Sequence, residues 1–373
     1  MHEGKIQAMV NKGGCKPTHL MFADGIFIFC NGHKRTLNNL MSLLLQYQNS
    51  SRQMVNRAKN KCFVGGLSDI RRNGIAEFLQ MELSELPDRY YGVIINPGIM
   101  KAHQVWGMVE MMQKILVGWM WKLLAFSTIL TLVKFELFSM PMYNMSLYKW
   151  PKSVIKEYEN IIRNFLWFGD PTVKNLATVK WDEVNAPVSE GGFGIRRLEL
   201  MNKIFLMKLF WKIETEDVEW TMYMRDEHKN KNEEWIKFHR KSSIWPGMKW
   251  VMADVNDSNR WLVEDGKSIY YFEVNELSAL GGGKDKKAWV ADLNGNCTVA
   301  NAAQLVRKKH TVVSWANKIL ICCDGASKGN PCRAGFGFVT RISDGGCVGA
   351  ASDGFIIATN HLAEVMTLIS FVE

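Results

Sequence analysis

The chain has 373 residues, enough for two or three ordinary domains. Hydrophobic residues at 47% and charged residues at 22% are globular values, so a buried core is expected. The net charge of +9 favours a polyanionic partner, because lysine and arginine gain by displacing counterions from phosphates.

Met1 to Val10 carry Glu3, Lys5 and Gln7 and no apolar run, so no secretion signal is expected. The apolar stretch from Ile115 to Met140 is broken by Lys122, Lys134 and Glu136, too often for a membrane-spanning helix. The eight cysteines form no C-x-x-C pair and no Cys/His zinc spacing, which fits reduced thiols in the nucleus or cytoplasm.

From His19 to Cys30 two apolar runs flank Asp24-Gly25, a strong hairpin signal. Leu37, Leu40, Met41, Leu44 and Tyr47 then recur at helical spacing, closed by the polar residues Gln48 to Arg52. The middle of the chain reads as helical. One stripe is Val105, Met108, Val109, Met112, Leu116 and Trp119; a second is Ile129, Leu132, Val133, Leu137 and Met140. A third helix starts near Pro151, runs through Val154, Ile155, Tyr158, Ile161, Ile162 and Phe165, and stops at Gly169 and Pro171. Leu198, Met201, Phe205 and Leu209 suggest a fourth. All four stripes are read as core.

Residues 228 to 250 interleave Lys229, Lys231, Lys237, Arg240, Lys241 and Lys249 with Trp235, Phe238, Trp245 and Trp250. Such a mixture can stack on unpaired bases while cations follow the backbone. Core tryptophans beside a solvated basic face are the preferred reading, because Glu233 and Glu234 interrupt the patch. Gly281 to Lys287 reads as a flexible, charged linker. Beyond Lys318 three strands are expected, over Ile319 to Cys323, Ala334 to Thr340 and Gly349 to Ile357, with a hairpin turn at Asp344-Gly345-Gly346 and a helix from about Asn360.

Three short blocks stand in a telling order: Phe22-Ala23-Asp24-Gly25, Asn56-Arg57-Ala58-Lys59 and Tyr90-Tyr91-Gly92-Val93. They resemble the F/Y-x-D-D, N-x-x-K and Y-L-G-V blocks of reverse transcriptases, and Ser139 to Ile213 resembles the region downstream of the palm in plant LINE (non-LTR retrotransposon) polymerases. The resemblance covers roughly residues 16 to 272. It implies a role for Asp24 in holding catalytic metal, and for Lys59, Tyr91 and Gly92 in gripping nucleic acid. Gly25 stands where the family has its second hairpin aspartate, and the strand that carries the family's upstream aspartate falls before Met1. A two-metal reaction needs several carboxylates; polymerase activity is therefore not expected.

Asp324-Gly325-Ala326-Ser327-Lys328-Gly329-Asn330-Pro331 closely resembles the opening of type 1 RNases H. Ala334-Gly335-Phe336-Gly337 matches the glycine-rich second strand of that family, and Thr359-Asn360-His361-Leu362-Ala363-Glu364 the start of its first helix. By resemblance Asp324 and Glu364 share Mg²⁺, Asn360 and His361 approach the minor groove where 2′-hydroxyls are displayed, and Ser327 and Asn330 frame the turn or touch the backbone. Cys332 stands where glycine is usual. Two further acidic ligands of the family fall after Glu373, so hydrolysis is expected to be impaired.

The reading is an α+β chain in four parts. Residues 1–100 are a partial palm, 101–272 a helical thumb or connection, 273–318 a linker, and 319–373 an RNase H-like segment with a mixed sheet. The expected partner is nucleic acid, either an RNA–DNA hybrid or a single strand, with no membrane and no small-molecule cofactor. The alternatives left open are a hybrid ribonuclease, a binder without catalysis, and a decayed retroelement product.

Overall fold

The computed structural model describes residues 6–9, 17–22, 25–57, 59–118, 126–168, 180–236, 242–263, 277–279, 286–292, 295–307, 320–327, 332–341 and 347–358. The architecture is α+β, with helices dominating and only small sheets. Two compact units divide the chain. The first comprises Met1–Gly98 and Phe210–Ser242, the second Ile99–Leu209 and Ser243–Glu373.

The first unit opens on an antiparallel hairpin of β1 (His19–Phe22) and β2 (Gly25–Ile28), in register from His19 opposite Ile28 to Phe22 opposite Gly25. Helix α1 (Lys34–Ser51) buries Thr36, Leu37 and Leu40. The expected apolar face ends early: Tyr47 is exposed, and its hydroxyl donates to Gln53 Oε1 at 2.5 Å. The very short strand β3 (Lys61–Cys62), helix α2 (Asp69–Leu79) and strand β4 (Glu82–Leu83) follow, with β3 and β4 parallel. Leu37 and Leu40 pack with Ile75 and Leu79 of α2 in a small core that Ile28, Cys30 and Cys62 edge. Strands β5 (Asp88–Tyr90) and β6 (Val93–Ile95) form a second antiparallel hairpin.

In the second unit, α3 (Ala102–Gly118) buries Val105, Val109, Met112 and Leu116 and packs on α6 (Lys152–Phe168). Trp119, expected on the same stripe, lies outside the described residues. Between them run α4 (Phe126–Leu132), a π turn at Val133–Leu137 and α5 (Ser139–Met145). The buried Tyr158 hydroxyl of α6 donates to Leu137 O at 2.8 Å, using a carbonyl at the π turn. The stop expected at Gly169 and Pro171 lies outside the described residues.

Short α7 (Trp181–Val184) leads to α8 (Leu198–Thr215). The buried Glu159 carboxylate of α6 links the two, accepting Leu198 N–H at 2.8 Å and Trp181 Nε1–H at 3.2 Å. Burial pushes the Glu159 carboxyl above its usual range, against the opposing pull of those bonds and of Arg197. The expected fourth helix, α8, buries Ile204, Leu206 and Met207 as well as Leu198 and Met201, while Phe205 and Leu209 are half-buried, so its apolar contacts extend beyond the one stripe expected. Its one fully buried polar side chain, Asn202, receives Trp150 N–H at 3.0 Å and donates to Met145 O and Tyr148 O at 2.7 and 2.8 Å. The backbone turn before α6 is thereby held to α8.

Helix α9 (Glu219–His228) belongs to the first unit, and α10 (Trp245–Asn256) begins in the second with Pro246 in its first turn. Then β7 (Asn259–Val263) pairs in parallel with β8 (Leu277–Ala279) and antiparallel with β9 (Lys286–Trp289). Helix α11 (Val299–Val306) is capped by Thr298, whose hydroxyl accepts from Asn301 N, and Arg307 just beyond it pairs with Glu190 at 2.7 Å. Within residues 273–318, read from the sequence as a linker, the described residues include β8, β9 and α11. Ala288 and Trp289 of β9 are buried.

The three strands expected beyond Lys318 form as β10 (Leu320–Ser327), β11 (Cys332–Arg341) and β12 (Cys347–Ala358), in spatial order β10-β11-β12. Among the described residues of this segment both strand pairings are antiparallel, as short connections between neighbouring strands require. The turn at Asp344–Gly346 and the helix near Asn360 lie outside the described residues. Among the described residues no helix is long and apolar enough to cross a membrane.

Candidate functional site

The hairpins that carry Phe22-Gly25 and Tyr90-Val93 meet in the first unit. Phe22 pairs with Gly25 across the first hairpin, while Ala23 and Asp24 lie outside the described residues. The second hairpin turns at Tyr91-Gly92, with φ of 47° and 82°, between paired Tyr90 and Val93. Positive φ at both central residues is the type I′ geometry, which matches the twist of the flanking strands and suits glycine at the second position. The two hairpins touch. The Tyr90 ring stands edge-on to Phe27 at 4.4 Å and to Tyr91 at 4.6 Å. A Cβ on Gly25 would lie 2.9 Å from the Tyr91 hydroxyl and 3.2 Å from that of Tyr90.

The middle block makes its own turn. Asn56 Oδ1 accepts Lys59 N–H at 3.3 Å, Asn56 O accepts it at 3.2 Å, and the Lys59 side chain is exposed. Arg57 donates to Gln80 Oε1. Just beyond, Lys61 forms an ion pair with Asp88 at 2.8 Å that fastens β3 to β5. The Lys61 hydrogen bond holds the Asp88 carboxyl below the usual carboxylate range.

In the C-terminal sheet Asp324 occupies a mid-strand position of β10, opposite Gly337 of β11, which is itself opposite Ser352 of β12. Ser327 ends β10 opposite Ala334. A Cβ on Gly337 would meet Ala351 O at 3.3 Å and Ser352 Cβ at 3.4 Å, so glycine eases the close pairing of β11 with β12 in the row that contains Asp324. Asn330, Asn360, His361 and Glu364 lie outside the described residues. Among the described residues no group of three or more His, Cys, Asp or Glu side chains could hold a metal ion.

The basic and aromatic segment behaves mostly as core. Trp245 is buried, and half-buried Trp235 packs against Phe210 at 5.1 Å and donates from Nε1 to Glu214 at 2.5 Å. Lys229 lies 5.2 Å from the Trp235 ring and Lys149 4.6 Å from that of Trp250, so lysines already occupy the aromatic faces. A cleft of about 530 Å³ beside Arg225 and Lys229 is also lined by Glu214, Asp226 and Glu233, a mixed-sign surface unsuited to a polyanion. Lys237, Phe238, Arg240 and Lys241 lie outside the described residues.

Sequence reasoning passed over Tyr90, whose ring joins the two hairpins. Its signal was the doubled tyrosine ahead of a glycine, which places one ring in a strand and the other in a turn.

No model of a known protein family matches the chain. Over 161 residues the chain is 30% identical to an Arabidopsis thaliana protein named "Putative ribonuclease H protein At1g65750". The match covers 42% of the chain and 26% of that protein, so the chain spans about a quarter of the relative's length.

Proposed function

We propose that the chain is a nucleic-acid-binding part of a LINE-type polyprotein, in which a reverse-transcriptase palm remnant and a helical thumb-like region precede a type 1 RNase H segment. The observation that carries this reading is the 30% identity to a protein named as a ribonuclease H. It is supported by an aspartate placed mid-strand at the start of a glycine-rich antiparallel sheet. The partner is an RNA–DNA hybrid or a single strand, met in the nucleus or cytoplasm.

Asp324 and Glu364 would hold Mg²⁺, since carboxylate oxygens suit that hard cation. When bound, the ion supplies Lewis-acid activation of a phosphodiester and of the attacking water. Asn360 and His361 would bind the minor groove of the hybrid and recognise its 2′-hydroxyls, with Ser327 and Asn330 orienting the backbone. Lys59, Tyr91 and Gly92 would meet the strand at the other end of the chain.

The palm-like hairpin does not fit a metal pair. Gly25 offers no carboxylate, and the Tyr91 hydroxyl crowds the place where a side chain there would begin. This favours binding over polymerisation.

The test is a labelled hybrid duplex with Mg²⁺, compared with the Asp324→Asn variant. Retention that falls steeply with salt is expected. Cleavage abolished by Asp324→Asn would establish the enzyme; the absence of both retention and cleavage would overturn the reading.

A further inference from the structure

From Gly25 to Ser68 the chain contains no aspartate or glutamate, yet it carries Lys34, Arg35, Arg52, Arg57, Lys59 and Lys61. Lys61 pairs with Asp88, brought from outside the run. Among the described residues no carboxylate pairs with Arg52, Arg57 or Lys59. Charges gathered in this way repel one another, and the arrangement persists because the connection from α1 to β3 is held by neutral partners instead.

Those partners are specific. Arg52 ends α1 in the left-handed region at φ 57°, its N–H bonded to Gln48 O. Val55 N–H donates to Gln48 Oε1 at 2.9 Å, and the Asn56 turn fixes Lys59. Gln80, itself left-handed at φ 56°, accepts from the Arg57 guanidinium and so aims it without neutralising it. Arg52 and Lys59 are exposed, as is Met54 beside them.

We propose that this loop is a phosphate-backbone docking surface in which Arg52 and Arg57 act together with Lys59. A prepositioned guanidinium presents a planar fork that matches phosphate oxygens. The loop itself carries no acidic residue, and the carboxylates nearest in the fold, Glu82 opposite Lys61 and Asp88 paired with it, face Lys61 rather than forming ion pairs with Arg52, Arg57 or Lys59. The inference rests on the nucleic-acid reading above, and adds to it the surface that takes the strand.

The experiment measures affinity of the whole chain for a labelled single strand as a function of salt. In the triple variant Arg52→Gln, Arg57→Gln, Lys59→Gln the slope of log affinity against log salt is expected to be shallower by about 2, given about 0.7 per phosphate contact on single strands. The double variant Arg52→Gln, Lys59→Gln, which touches only exposed side chains, is expected to lose about 1.4 on the same scale. Lys114→Gln with Lys156→Gln, on exposed positions of α3 and α6, is the control and leaves the slope unchanged.

Equal slopes in wild type, variants and control would overturn the loop while leaving nucleic-acid binding intact. A wild-type chain that binds no strand at all would overturn the broader reading first. Retention on anionic phospholipid vesicles in place of nucleic acid, lost in the same variants, would overturn the partner class.

Discussion

The Tyr91 hydroxyl stands 2.9 Å from the point where a side chain on Gly25 would begin. Two blocks separated along the chain are thus fitted to each other, and a methyl group at position 25 would require the tyrosine hydroxyls to shift.

Substituting alanine at Gly25 is expected to destabilise the first unit by about 1–2 kcal/mol, the usual cost of forcing a methyl group into packed space. Tyr91→Phe in the same chain removes the crowding oxygen and is expected to recover part of that loss. Urea unfolding of the two single variants and the double variant measures the coupling. Strict additivity would show that the two positions do not touch.

Asn202 serves three backbone groups from a fully buried position. Asn202→Ala leaves the Trp150 N–H and two carbonyls without partners, at about 1–3 kcal/mol per buried group left unsatisfied. Chemical denaturation should therefore place it among the most destabilising single changes in the second unit. A midpoint close to wild type would mean that water enters and replaces the amide.

Trp289→Ala tests whether residues 286–289 are built into the fold. Trp289 is wholly buried, and truncating such a side chain costs about 3–5 kcal/mol. A tether would show no loss of thermal stability at all.

Glu159 makes a pH prediction whose sign follows from its burial. Its carboxyl holds a proton to higher pH when folded than when unfolded. As pH rises from the ordinary glutamate value to the raised folded value, the unfolded chain ionises first, and stability falls across that window. Glu159→Gln is expected to flatten the slope while weakening the bond from Trp181, because the new amide group donates where the carboxylate accepted. Unfolding curves from mildly acidic to neutral pH would show this; an unchanged slope would assign the pH dependence elsewhere.

The hairpin of His19–Ile28 and the helices carrying Leu37, Val105 and Val154 were legible because their signals are local, two apolar runs about a turn or an apolar period of one helix, although Gly25 stands in β2, paired with Phe22, rather than in the turn. The glycine-punctuated strands β10 to β12 were legible for the same reason. Strands of two or three residues such as β3 and β4 carry no period to read. Helix α8 was read as one-faced because helix periodicity cannot report contacts beyond its own stripe. The meeting of Tyr91 with Gly25 is a tertiary contact invisible to spacing, and the fixing of Arg57 depends on Gln80 arriving from another helix. Of the sequence-derived site, Lys59, Tyr91 and Gly92 are placed in turns and Asp324 and Ser327 in register, while Asp24, Asn330, Asn360, His361 and Glu364 lie outside the described residues.

Arg307 reaches back to Glu190 across a separation of 117 residues. On the ribosome, Glu190 emerges long before its cation is synthesised, so the nascent helical unit carries an uncompensated carboxylate until α11 follows. The Arg307–Glu190 pair is thus a contact of long sequence separation, the kind whose loop must close before the contact can stabilise the fold.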